Sequence, residues 1–297
     1  MGDAVPALQI LATILTDLGF ALVVGTLLAG AWLGNEAGSA DSIRLQRMSS
    51  VCLAVLAVCH LARPWFVASS MSGTTEFRPV LNLVPTILSG TRQGSLWYAN
   101  SLALAALIAA QWQRKPRPAS LATWPAVAAL GVLAAIRAAS SHASEAGDFS
   151  IAEISQFLHL LATSVWAGAI LVSAFLVAPH WPGFGISTLW NYSRRLSQTV
   201  TWALAMLVLT GIYTAWRGLH GSVNVLWTHH WGRILLVKIS LVALAVLLGS
   251  LTRFRCVKRP PRSETAAIMV QLLRYEAVIM AVILAVSGLL ANTDPGT

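Results

Sequence analysis

The residues able to do chemistry in this chain are few and clustered. Seven histidines occur (His60, His142, His159, His180, His220, His229 and His230) with three cysteines (Cys52, Cys59 and Cys256). The densest stretch is "ASSHASEAGDFSIAEISQFLHLLATSVWAG", residues 139–168, where His142 and His159 stand 17 residues apart with Glu145, Asp148 and Glu153 between them. Neutral imidazole is the commonest metal ligand and suits copper. Two antiparallel neighbouring helices joined by a short loop can bring such histidines within chelating reach. The alternative is a pair of helix-end histidines hydrogen-bonded to backbone or water. The three carboxylates can raise the local cation concentration at this mouth, or simply be solvated.

The other candidates lie near the same end of the bundle. His229 and His230 precede an apolar run; adjacent helical residues point about 100° apart, so one of them faces inward. His60 stands beside Cys59, a soft ligand for Cu(I) if it faces the same cavity; a satisfied core histidine is the alternative. Lys238 lies a third of the way into the run "GRILLVKISLVALA". An ammonium at that depth snorkels, pairs with an acid such as Asp17, ligates as the neutral amine, or carries a proton. Arg137 is expected to snorkel outward, and Arg274 and Glu276 to orient the end of the last span. His180 reads as interfacial, His220 as a loop residue, and Met71, Met206 and Met280 as core filler. No Walker loop, G-x-S-x-G or H-E-x-x-H occurs, so hydrolase chemistry finds no support.

The elements positioning these residues are membrane spans. Of 297 residues, 56% are hydrophobic and 10% are Asp, Glu, Lys or Arg, against about 25% charged in soluble domains. We expect an all-α polytopic transmembrane bundle of eight spans at 8–33, 49–70, 95–113, 121–141, 154–178, 196–217, 231–252 and 269–291. The first run has no basic flank and reads as a true span rather than a cleaved leader. The polar stretch 77–94 reads as a loop with an interfacial helix. The net charge of +9 resides in short connections, around Arg44 and Arg47, Arg114 to Arg117, Arg194 and Arg195, and Arg253 to Arg262. That is a footprint of membrane orientation rather than of nucleic-acid binding. It makes the odd-numbered connections cytoplasmic and both termini non-cytoplasmic, and it puts the 139–168 connection on the non-cytoplasmic side. Three cysteines without C-x-x-C spacing imply no disulfide framework.

The two halves resemble each other in order. "RLQRMSSVCLAVLAV" parallels "RRLSQTVTWALAMLV", and "PTILSGTRQGSLWYANSLALAALIAA" parallels "NVLWTHHWGRILLVKISLVALAVLLG", matching Gly94 with Gly232. We therefore expect two parallel four-helix repeats, 1–145 and 146–297.

"HLLATSVWAGAIL" (159–171) resembles the H-L-x-x-x-x-W-x-G-G signature of the CopD family of copper-resistance membrane proteins. "SSHA" (140–143) is similar to that family's G-H-A element, and "HHWGRILLVKISLVALAVLLGSLTR" and "LLRYEAVIMAVILAVSGLLANTDP" resemble its last two spans. Ala169 and Ser141 stand where the family has glycine. The resemblance implies an inner-membrane protein that takes copper from a periplasmic CopC-like partner and moves it inward, with His142 and His159 as ligands; we expect His60 or His229 as a third. A weaker similarity, to HemJ-type haem proteins, implies instead haem b held by His159 and Lys238 and a redox role.

Overall fold

The computed structural model describes residues 4–34, 38–113, 124–219, 222–253 and 263–293. His220 and the basic residues at 114–117 and 255–262 lie outside them. Ten α-helices follow in order: α1 (Ala4–Leu33), α2 (Ser39–Ser72), α3 (Phe77–Gly90), α4 (Arg92–Gln113), α5 (Trp124–Ala139), α6 (Ile151–Val172), α7 (Ile186–Gly218), α8 (Val225–Thr228), α9 (His230–Thr252) and α10 (Ser263–Ala291). No strand occurs among the described residues. A 3-10 turn, His142–Ala146, precedes α6, and a π-helical turn, Ser173–Val177, continues it into a second 3-10 turn, Ala178–Gly183.

Among the described residues, six helices are long and apolar enough to cross a membrane: α1, α2, α6 with its continuation, α7, α9 and α10. Trp124–Ala139 is apolar but shorter. Helix α4 is long enough, but Asn100, Ser101 and Gln111 interrupt its apolar character. Outward surfaces carry exposed Trp202, Leu209, Val58 and Trp112, as expected where lipid replaces water. The protein is thus a multi-pass membrane protein.

Two helices run past their expected ends. Helices α2 and α7 begin ten residues earlier than the apolar runs, so Arg44, Arg47, Arg194 and Arg195 stand on helical extensions instead of loops. Nothing in "SADSIRLQR" or "ISTLWNYSRR" breaks a helix, and the apolar run marks only the part that meets hydrocarbon.

Helix α6 is the hub. Trp166, Ala167, Ala169, Ile170, Leu171 and Val172 are each at most 4% exposed. It meets α1 through a crossing of small residues. A Cβ on Gly168 would collide with the Ala21 carbonyl, and one on Gly25 with the carbonyl of Gly168. Close backbone approach of this kind holds helices together in lipid, where apolar side chains gain nothing by leaving their solvent. Helix α1 serves both halves. Ala21 and Ala29 pack with α6, α7 and α10, while Phe20, Val23 and Leu27 pack with α2, α4 and α5.

A local likeness links the halves. Gly94 opens α4 against the carbonyls of Ile87 and Leu88 in α3, and Gly232 opens α9 against the Val225 carbonyl in α8; a Cβ would clash at both. The 77–94 stretch is more helical than expected. Helix α3 buries Val80 and Ile87 against α2.

Candidate metal-handling site

The connection carrying the histidine pair is built by its own polar residues. Ser150 caps α6 by accepting from the Glu153 N–H at 3.2 Å, and Glu153 accepts from the Phe149 N–H at 2.7 Å. This reciprocal arrangement resembles a capping box. Phe149 takes a left-handed φ of 56° to let the chain enter the helix. Asp148 pairs with Arg92 at the start of α4. Two of the three carboxylates read as cation attractors therefore hold the connection together.

His142 opens the 3-10 turn, with its side chain outside the described set. His159 lies eight residues into α6, about 12 Å below Ile151 at 1.5 Å per residue. It is not at the helix end. Its Nδ1 lies 3.0 Å from Thr210 Oγ1 on α7, and that hydroxyl donates to the Met206 carbonyl at 2.8 Å. With the Thr210 proton on the Met206 carbonyl, His159 Nδ1–H donates to the hydroxyl and Nε2 keeps its lone pair. A second-sphere acceptor of this kind fixes the tautomer and ring orientation of a metal-binding histidine. Gly211 leaves ordinary van der Waals space beside the ring; a Cβ there would sit 3.6 Å from Cε1.

The α1–α6 crossing sets the depth of what surrounds His159. Asp17 and His159 lie eight and nine residues outward of Gly25 and Gly168, so both sit roughly 12–14 Å from the crossing. Asp17 pairs with Arg137 of α5, whose guanidinium also lies 5.8 Å from the Phe20 ring centroid. Arg137 therefore does not snorkel outward as expected; it stays inside on a carboxylate. Lys238 of α9 interacts electrostatically with both Asp17 and His159. His159 and Lys238 thus lie within electrostatic range of each other, near an acid–base pair joined across 120 residues of sequence.

His60 is a different case. It is 9% exposed, and its ring stacks on Trp97 of α4 with centroids 4.9 Å apart and planes 15° apart. Nδ1 is 2.8 Å from Asn100 Nδ2, and Nε2 is 2.8 Å from Ser101 Oγ, which donates onward to the Trp97 carbonyl. Asn100 therefore donates to Nδ1, Nε2–H donates to Ser101, and no lone pair is left over. His229 sits at the N-cap of α9, nine residues before Lys238, and His230 is exposed. His180 Nδ1 contacts the Leu176 carbonyl at 3.1 Å, at the opposite end of the bundle. Among the described residues, no three His, Cys, Asp or Glu side chains gather into a metal-holding group.

The sequence places Glu276 at the end of the last span, where it orients the helix; the structure buries its side chain instead. Glu276 is 2% exposed, inside α10. A carboxylate in an otherwise apolar span is a signal of the same kind that marked Lys238.

Comparisons with known proteins agree on copper. The family described as "Copper resistance protein D-like, N-terminal domain" matches residues 1–151, and "Copper resistance protein D" matches residues 191–290. The "Copper transport protein CutJ" of Bacillus subtilis (strain 168) is 27% identical over 165 residues, covering 54% of this chain and 30% of CutJ. The chain spans under a third of that relative's length. No solved structure matches it. None of the matching descriptions names haem. With a matching family model over half its length, the chain belongs to the copper-resistance protein D family of membrane proteins.

Proposed function

We propose that this chain carries copper across the bacterial inner membrane from the periplasm, with His159 as the ligand inside the membrane. The observation supporting this is the His159 ring, held through Nδ1 at 3.0 Å from Thr210 Oγ1, which engages that nitrogen and leaves Nε2 as the one to bind. His229 stands at the start of α9, roughly 13–14 Å outward of Lys238 by helix rise, and His142 opens the turn that precedes α6. We read them as capture ligands at the mouth, preceding His159 in a relay and not completing one cluster with it. His60, with both ring nitrogens engaged, supports the fold. A CopC-like periplasmic protein is the proposed donor.

This reading takes α4 and α5 as spans beside the other six, giving eight in two parallel four-helix repeats, 1–145 and 146–297. The matching clefts at Gly94 and Gly232 support it. Arg44, Arg47, Arg194, Arg195 and Arg253 lie at one end of the bundle, which the basic-residue rule makes cytoplasmic. Both termini are then periplasmic.

The test is copper uptake into proteoliposomes that contain an entrapped copper chelator. Wild-type chain accumulates copper inside, and His159→Ala reduces the rate at least tenfold. Equal uptake by the two overturns the assignment.

A further inference from the structure

The half of the bundle opposite His159 holds a second polar feature that copper capture does not use. A cavity of about 190 Å³ opens between α6, α7, α9 and α10 at the end bearing Arg253. Its volume accommodates several waters at about 30 Å³ each. Glu276 lines it, and Gly249 faces the carboxylate; a Cβ there would lie 3.1 Å from Oε1, so the glycine leaves Glu276 its space. The Trp166 indole N–H, also on the wall, is fully buried and directed at the Glu276 carboxyl, the acceptor within its reach. Helix α7 contributes the hydroxyls of Ser193, Ser197 and Thr201. At the mouth, Arg253 donates to Thr201 Oγ1 at 2.5 Å.

One indole N–H engages only one of the lone pairs of a carboxylate, and the rest face the cavity. Water in a cavity of this size donates to those remaining carboxylate lone pairs. A metal ion fits less well. The wall offers one carboxylate and no histidine or cysteine, and the positive end of the N–H dipole lies beside that carboxylate. Ionisable side chains at membrane depth mark proton and ion pathways.

We propose that this cavity is a hydrated proton-exchange vestibule, in which Glu276 takes up and releases a proton through the end of the bundle marked by Arg253. The proton passes between a Glu276 carboxylate oxygen and a cavity water. One O–H bond breaks as the other forms, and the excess proton leaves or arrives through the waters at the mouth. The charged groups on the packed elements are sparse. Arg253 of α9 stands at the mouth. His159 of α6, Asp17 of α1 and Lys238 of α9 lie roughly 10–16 Å away toward the other face, by helix rise. Arg274 and Tyr275 of α10 and Arg194 and Arg195 of α7 point outward, exposed. The π-helical turn contributes no charge, and its Ser173 is bonded to Tyr192 of α7. Glu276 is thus the only acid on the cavity wall.

This inference goes beyond copper capture and does not depend on it. It supplies a route by which a proton gradient can drive transport in a chain without a nucleotide-binding motif.

The test is infrared difference spectroscopy of the full chain in lipid nanodiscs after a pH jump, without copper. One carboxylic C=O stretching band is expected to appear and vanish reversibly with pH. Glu276→Gln removes it, Glu276→Asp retains it, and Trp166→Phe or Gly249→Ala shifts its frequency. A pH-responsive band unchanged in Glu276→Gln, or no such band in wild type, overturns the proposal. Should Glu276→Gln fail to fold, an unshifted band in Gly249→Ala overturns it as well. A chain that shows the band but moves no copper would refute the copper reading and leave this one standing.

Discussion

Replacing Thr210 by valine should loosen copper binding without removing any proposed ligand. Thr210 is 6% exposed and has one contact with chemical consequence, the 3.0 Å bond from His159 Nδ1–H. Valine keeps the volume and the β-branch and removes the acceptor. The hydroxyl's own bond to the Met206 carbonyl is redundant, since helical backbone bonding already serves that oxygen. Stranding a buried imidazole donor costs about 1–3 kcal/mol. The ring can escape that cost by turning or by moving its proton to Nε2, and either change spoils the lone pair meant for the metal. Removing an outer partner of a metal-binding histidine lowers affinity about 10–100-fold. Competition against a chromophoric cuprous chelator measures this directly. Thr210→Val is expected to weaken binding at least tenfold, and Thr210→Ser to restore it to within about threefold. Unchanged affinity in Thr210→Val, in a chain that melts like wild type, would refute the reasoning.

Other expectations concern the supports of the site. Arg137→Met strands Asp17, and breaking a buried ion pair costs about 3–5 kcal/mol; with the partners 18% and 15% exposed, the low end applies. Thermal unfolding in detergent should show the loss, and Asp17→Leu combined with Arg137→Met should recover much of it. His60→Leu leaves Asn100 and Ser101 without their partner and should cost about 1–3 kcal/mol, while cuprous affinity stays within about twofold. Gly168→Ala drives a methyl into the Ala21 carbonyl; overpacking costs about 1–3 kcal/mol, and copper uptake should fall with the melting temperature because the crossing sets the depth of Asp17 and His159.

Much of the helical layout was legible, because runs of about 20 apolar residues are the strongest signal a membrane sequence carries. Helix ends were less so. Hydropathy reports where hydrocarbon ends, and a helix of ordinary formers continues past that point, so Arg194 and Arg195 read as a loop and stand on a helix. The carboxylates of the 139–168 connection misled for a different reason. Glu153 three residues after Ser150 is a capping pattern, yet beside two histidines it was read as a cation lure. His60 could not be read, since its partners Asn100 and Ser101 lie about 40 residues on and only the packing of α2 against α4 brings them together. The same holds for Arg137 with Asp17, 120 residues apart. Glu276 was visible as a charge in a span, but the space around it depends on Gly249 and Trp166 from two other helices.

The central claim is that His159 binds copper inside the membrane. X-ray absorption at the copper edge of the loaded chain tests it most directly. Imidazole multiple scattering should be present in wild type, diminished or lost in His159→Ala, and unchanged in His60→Leu. Scattering that survives His159→Ala undiminished would contradict it.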